Sequence, residues 1–451
     1  MRLTQNQKSY SSLFGTCLLY LLMGNPYIWG GINIYVASYY KFNYQPDLTL
    51  DSASIVFAFC SFFTPLAAFL SLKFFPKMNF HLYYFIFGLF LILPIFVSSF
   101  MTNFWLFVFL FSFLFGFGCG FFYVILMINT YKYFPNRKGV ASGVIMGVYG
   151  MGGFLFTLLM VWMINPENST PVKDAKGASY FTDPEIFNRV PNAIRTLSYI
   201  YLGLFVFGYL CIFPYKEEEK EEIEQIENIA SSQSLITDDS ESPMPARPKL
   251  IAKKSKYNTI IDLFRSPILY FLVAMLYCSA GNGYFIATNY KNYGITKISD
   301  DNFLSLVGSL SSLSNGGGRF LWGLLLDKVD FVKAYSLLLI TQMILTTTLS
   351  FIIEIRACYL IWVCLLLLCS GGHFVIFPTE CVKRFGNDLG GKAYNFCLIV
   401  FSLSNITQFG LTVGIKDKVG YENELWIFLG FTGISLLNLF FYQKKRADQF
   451  K

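Results

Sequence analysis

The chain is organised as long apolar runs separated by short polar turns. Twelve such runs are read, at 12–40, 52–74, 80–100, 103–131, 139–164, 195–214, 266–290, 303–326, 332–353, 358–379, 392–414 and 424–442. About 20 consecutive apolar residues suffice for a helix to cross the hydrocarbon core of a bilayer. The pattern therefore predicts an all-α membrane protein with twelve spanning helices. Glycines and prolines inside the runs, such as Pro65, Pro94 and the Gly116, Gly118 and Gly120 cluster, suit membrane helices, where small residues let backbones approach. Gly143, Gly147, Gly150, Gly152 and Gly153 in the fifth run predict a second closely packed helix.

The polar turns orient these helices. Lys73 and Lys77 follow the second run, Lys132, Arg137 and Lys138 the fourth, Lys328 and Lys333 the eighth, Lys383, Arg384 and Lys392 the tenth, and KKRADQFK ends the chain. The odd-numbered short loops are neutral or mixed in sign. Basic loops stay inside, so both termini are expected to be cytoplasmic, in a plasma or organelle membrane. The first apolar run is too long for a signal-peptide core and is read as the first span. The loop 165–194 then lies outside and carries the glycosylation acceptor Asn168-Ser169-Thr170. A second match at Asn405 lies inside a span and is discounted as an acceptor.

The two halves echo one another. Segment 133–143, YFPNRKGVASG, aligns with 384–394, RFGNDLGGKAY, so that Phe134 meets Phe385, Asn136 meets Asn387 and Gly139 meets Gly390. The same offset of 251 residues pairs Gly120 with Gly371, Gly30 with Gly281, Lys77 with Lys328 and Phe80 with Phe331. It brings spans 1–5 onto spans 7–11 with loops of the same kind. Two six-helix bundles, 1–214 and 263–451, are therefore expected around a polar linker, 215–262, part of which is read as disordered.

Composition agrees with lipid as the solvent. The chain is 54% hydrophobic and 14% charged, against about 25% charged in a soluble domain. The formal net charge of +7 is read as topology, not as nucleic-acid binding. Ten cysteines without a CxxC pair and only two histidines, His81 and His373, are read as offering no metal site. With no P-loop, HExxH or nucleophile elbow, neither an enzyme nor a cofactor is expected, and the chain is read as a monomer.

Polar groups within spans are then the functional candidates. Arg319 is the sharpest. It precedes Asp327, the expected end of span 8, by eight residues, which is about 12 Å of helix. A guanidinium at that depth costs a few kcal/mol unless it meets water or a partner, and in a transporter it suits a bidentate clamp on a carboxylate. Asn315 shares its helical face. His373 in span 10 can titrate near neutral pH and couple a proton. Asn25 and Trp29 on span 1, Asn282 and Tyr284 on span 7, Asn405 on span 11, and the aromatic residues Tyr123 and Tyr149 complete the candidate substrate-binding set.

The stretch Asn315-Gly316-Gly317-Gly318-Arg319-Phe320-Leu321-Trp322-Gly323, ending at Asp327-Lys328, resembles the helix 8 and loop 8–9 pattern of the major facilitator superfamily. YFPNRKGVASG and FVIFPTECVKRFG resemble its oxalate/formate antiporter and monocarboxylate transporter branch. The resemblance implies a conformational role for Gly318, Gly323, Asp327 and Lys328, and for Arg137, Lys138 and Gly139 in the 4–5 turn. It implies that Arg319 binds a substrate carboxylate. Animal-type monocarboxylate carriers place an acid where Asn315 stands, and oxalate-type antiporters add a lysine in helix 11 that this chain lacks. The expected function is alternating-access transport of a small organic anion, with one cation favouring a monocarboxylate. The alternatives are a neutral or zwitterionic solute such as an amino acid, or a transporter-derived structural subunit of a membrane complex.

Overall fold

The computed structural model describes residues 4–135, 137–174, 178–215 and 259–448. Nearly all of the linker expected at 215–262 lies outside the described residues, as do Asn136, the side chains of Lys138 and Asn387, and the surroundings of Gly139. Twelve helical runs follow in order: α1 (5–43), α2 (Leu50–Lys77), α3 (Phe80–Ser98), α4 (Phe104–Tyr133), α5 (Val140–Ile164), α6 (Pro184–Cys211), α7 (Pro267–Gly294), α8 (Asp301–Leu326), α9 (Phe331–Ile352), α10 (Arg356–Gly386), α11 (Leu389–Ile415) and α12 (Lys418–Arg446). Ten of these are long and apolar enough to cross a membrane. The other two, α1 and α8, are the more polar ones, and both contribute side chains to the central cavity described below.

Side chains in the turns start the helices. Asn79, Asn103, Asp300 and Asp330 each accept a backbone N–H of the following first turn, which removes an orphan donor that lipid could not satisfy. α1 is broken at Asn25–Ile28, where Pro26 lacks the N–H that the ladder needs. α10 and α11 meet at Gly386 with φ 81°, a conformation that favours glycine. The equivalent residue in the first half is Pro135, so the two copies of the turn use opposite backbone devices.

The 251-residue offset also relates contacts. The Thr64 hydroxyl donates to the Gly116 carbonyl at 3.1 Å, and the Asn315 amide donates to the Leu367 carbonyl, also at 3.1 Å. Thr64 and Gly116 are the offset mates of Asn315 and Leu367. A Cβ on Gly120 would meet the Thr64 carbonyl at 2.1 Å, and one on its mate Gly371 would meet the Asn315 carbonyl at 2.3 Å. The α2–α4 contact is thus repeated as α8–α10.

The contacts between the halves break this symmetry. On one side α5 and α8 cross backbone to backbone, since a Cβ on Gly150 would lie 2.7 Å from the Gly316 Cα. The offset mates of that pair are Phe401 on α11 and Pro65 on α2, and both line the cavity. Two glycines bring one seam backbone to backbone; the other is joined by side chains, Ser402 donating to the Ser61 carbonyl at 2.7 Å.

With twelve crossings, both ends of the described chain lie on one face, here called proximal, and the 1–2, 5–6 and 7–8 loops lie on the distal face. On the distal face a two-stranded hairpin, Val172–Lys173 with Ser179–Tyr180, sits in the 5–6 loop. The Tyr180 hydroxyl accepts the Leu50 N–H at the start of α2 at 2.9 Å.

Candidate functional site

Between the halves lies a cavity, with about 860 Å³ of empty space when the part open to solvent is included. α1, α2, α4 and α5 line it from the first half and α7, α8, α10 and α11 from the second. Of the sequence-based candidates, Arg319, Tyr123, Tyr149, Tyr284 and Asn405 are in its wall.

Arg319 is only 3% exposed. Its guanidinium lies 4.4 Å from the Phe374 ring centre and 5.1 Å from that of Tyr149, an arrangement in which aromatic quadrupoles partly replace water around the cation. One terminal nitrogen donates weakly to the Asn315 carbonyl oxygen at 3.3 Å and the Tyr27 hydroxyl at 3.4 Å. The other contacts the Met146 sulfur at 3.0 Å. The Nε–H has no hydrogen-bond partner. Among the described residues no carboxylate pairs with it, although other buried cations here do find one. A desolvated cation held by π faces, with donors left over, has the chemistry to receive an anion.

Asn315 stands one turn behind Arg319. Its carbonyl oxygen accepts from the guanidinium while its amide is spent on the Leu367 carbonyl. Tyr284 reaches across the halves and donates to the Ser54 carbonyl at 2.8 Å. The Asn405 amide donates to the Ser61 hydroxyl at 2.9 Å, and its own carbonyl oxygen is buried without a partner. The remaining candidates lie outside the cavity wall. Asn25 accepts from Tyr201, Trp29 donates to the Ala53 carbonyl and packs on Phe107 and Phe111, and Asn282 donates to Thr346. Each of these contacts stays within one half.

His373 is also one layer back. Its Nδ1 lies 3.2 Å from the Ser370 carbonyl and its Nε2 2.8 Å from the Ser279 hydroxyl. A carbonyl only accepts, so Nδ1 carries the proton and Nε2 accepts from Ser279. Ser370, not the histidine, reaches the cavity.

The conformational candidates are spread along α8 and the proximal turns. Gly318 is packed so that a Cβ would meet the Leu368 carbonyl at 2.6 Å, whereas Gly323 has only Val375 nearby at 3.6 Å. Asp327, Lys328 and Arg137 are exposed on the proximal face.

Several wall residues carry no sequence motif. Tyr27 turns inward because Pro26 breaks α1 beside it. Phe374 occupies the position that is the offset mate of Tyr123, and the two aromatics face the cavity from opposite halves. Ser61, Thr64 and Ser402 put hydroxyls into the wall where α2 meets α11, and Ser402 donates to the Ser61 carbonyl at 2.7 Å.

A second buried cation lies toward the distal face. The sequence-based end of span 7 at residue 290 falls short of the helix, which continues to Gly294 and includes Lys291. Arg319 is therefore joined by a second basic residue buried within a span. Lys291 pairs with Asp301 at 2.8 Å, both side chains fully buried. It also donates to the Gly31 carbonyl at 3.2 Å and to Ser305 at 3.1 Å. Asp301 accepts from Tyr35 and, at 3.1 Å, from Asn165. Beside it Asn168 donates to Asp300 at 3.3 Å and accepts the Asn302 N–H at 2.7 Å. The acceptor asparagine of the glycosylation motif is thus engaged between the halves. These bonds, with Asn33 donating to the Thr288 carbonyl at 3.0 Å, tie the halves together on the distal side.

A family model described as the Major Facilitator Superfamily matches residues 12–407. The chain is similar to Apicoplast pyruvate carrier 1 of Toxoplasma gondii, 25% identical over 342 residues that cover 67% of this chain and 58% of that protein. It is also similar to the Oxalate:formate antiporter of Oxalobacter formigenes, 20% identical over 317 residues that cover 68% of this chain and 62% of the relative. The matched region spans less than two thirds of either relative's own length. A crystal structure of a D-xylose-proton symporter matches with a TM-score of 0.66 over 96% of this chain and 97% of that one, at 13% identity. At that identity the likeness is one of fold.

Proposed function

The chain belongs to the Major Facilitator Superfamily, and for this membrane transporter we propose that the cargo is a small organic monoanion bound by Arg319. The observation that carries the reading is the buried guanidinium in the cavity between the halves, without a carboxylate partner among the described residues. The names of the two relatives, a pyruvate carrier and an oxalate:formate antiporter, support an organic anion. The bundles 1–214 and 263–451 rock about the cavity while the linker 215–262 tethers them. Both termini are cytoplasmic on this reading, so the bonds at Asp301 and Asn168 close the outer face, and Asn168 is the glycan acceptor. Gly318, Gly323, Asp327, Lys328, Arg137, Lys138 and Gly139 serve the rocking motion.

Replacing Arg319 by Gln tests the clamp. Uptake of radiolabelled pyruvate, lactate and formate into proteoliposomes is expected to fall at least a hundredfold; unchanged uptake removes the clamp.

A second reading, an amino acid as cargo, draws on the unpartnered carbonyl oxygen of Asn405 beside Ser61 and Ser402. Such acceptors suit an ammonium group. A thermal-shift panel of acids against the matching amino acids separates the two readings.

A further inference from the structure

The shape and chemistry of the wall around Arg319 say what kind of acid fits, on the reading that Arg319 clamps a carboxylate. The offset mate of Arg319 is Ala68, and Ala68 lies in the same cavity wall. Where a symmetrical site for a dianion would carry its second cation, this chain carries a methyl group. No Lys, His or second Arg is among the lining residues, and no Asp or Glu either. The site balances one negative charge.

The rest of the wall is mostly apolar. Phe374 and Tyr149 cover the guanidinium, and Phe57, Pro65, Leu398 and Phe401 add further apolar surface to the same wall. The lining comes from eight helices, more wall than a three-carbon acid held on Arg319 can touch. With pyruvate or formate bound, part of the aromatic wall would stay in contact with water. An apolar body on the acid removes that water, which is favourable in proportion to the area covered, and aromatic rings add contact geometry of their own. Cavities with a mostly apolar wall and few polar groups are those that bury ligands with an apolar body.

We infer that the transported acid is an amphipathic monocarboxylate, with one carboxylate on Arg319 and an aryl or branched-alkyl body against the Phe57, Pro65 and Phe401 wall. The carboxylate sets orientation and the body supplies affinity. A dicarboxylate is rejected because its second charge would lie unpaired at Ala68.

The full chain in proteoliposomes tests this with labelled pyruvate, 4-methyl-2-oxopentanoate and phenylpyruvate, protein-free vesicles giving the passive background. Apparent affinity is expected to rise from the first to the last by at least tenfold. Phe401→Ser is expected to narrow that spread. Arg319→Gln is expected to abolish uptake of all three. Equal affinities, or the tightest for pyruvate, with uptake still dependent on Arg319, would overturn the size inference and leave the clamp standing. Uptake of all three acids that survives Arg319→Gln, or no uptake of any, would overturn both. Because a wall variant can fail by misfolding, thermal shifts of the unmodified protein by the same acids give a second ranking. A ranking that does not follow the size of the apolar body counts against the inference.

Discussion

Lys291 and Asp301 lie 2.8 Å apart with neither side chain exposed, and the first half of the molecule completes their coordination. The pair itself spans only α7 and α8, but Gly31, Tyr35 and Asn165 reach it from across the seam. On the proposed rocking motion, opening the distal face strips both ions of these partners, so the pair would bias the seam toward closure without being broken in each cycle. Removing one member leaves a buried charge uncompensated, which costs about 3–5 kcal/mol. Asp301→Asn is expected to lower the unfolding midpoint of the detergent-solubilised protein markedly. The double change Lys291→Met with Asp301→Leu is expected to recover most of the loss, because apolar replacement of a buried pair is often neutral. A double variant as unstable as the single would refute the charge argument.

The crossing of α5 and α8 gives a prediction with an internal control. A Cβ on Gly150 would lie 2.7 Å from the Gly316 Cα, whereas one on Gly147, a turn away on the same helix, meets nothing within 4 Å. Gly150→Ala forces the helices apart and overpacking costs about 1–3 kcal/mol. Transport is expected to fall at least tenfold in Gly150→Ala and to stay within twofold in Gly147→Ala. Both are read from initial uptake rates at matched protein levels.

Architecture was legible from the sequence because lipid imposes it: run length, basic loops and turn residues lie open in the order of the chain. Arg319 was legible because a charge in an apolar run stands out by composition alone. The partners of Asn25, Trp29 and Asn282 were not, since an asparagine satisfied by a hydroxyl on the next helix looks the same in sequence as one facing a ligand. Tyr27 and Phe374 were hidden among the 50 Phe and 29 Tyr of the chain. Pro26 beside Tyr27, and the offset that maps Tyr123 onto Phe374, were the signals available for them. Lys291 was missed because the polar helix end 289–293 reads as loop until the Asp301 side chain arrives from α8.

The distal loop has its own acid sensitivity. The Asp300 carboxylate is held below its ordinary value of 3.8, first by the Phe303 N–H that it caps and then by Asn168 and Arg356. A depressed carboxylate stabilises the fold above its ordinary value and loses that contribution as pH falls through the depressed one. Hydrogen-exchange protection at 168–170 and 300–303 is thus expected to be flat from pH 7 down to pH 4 and to drop below that. In Asp300→Asn the acid-induced drop is expected to vanish. A drop that persists in the variant places the acid-sensitive group elsewhere.

Asn315 offers the most direct intervention at the cavity. Its carbonyl oxygen sits 3.3 Å from the Arg319 guanidinium, on the same face of α8. Asn315→Asp would place a carboxylate at that distance without a change of shape. Ionised, the new group pairs with Arg319 and competes with the carboxylate of the cargo. Apparent affinity for an organic acid is therefore expected to fall at least tenfold at pH 7.5. Uptake measured with the vesicle interior buffered to match the exterior isolates binding from any proton gradient. Equal affinity of variant and parent at pH 7.5 would mean that Arg319 does not meet the cargo's carboxylate.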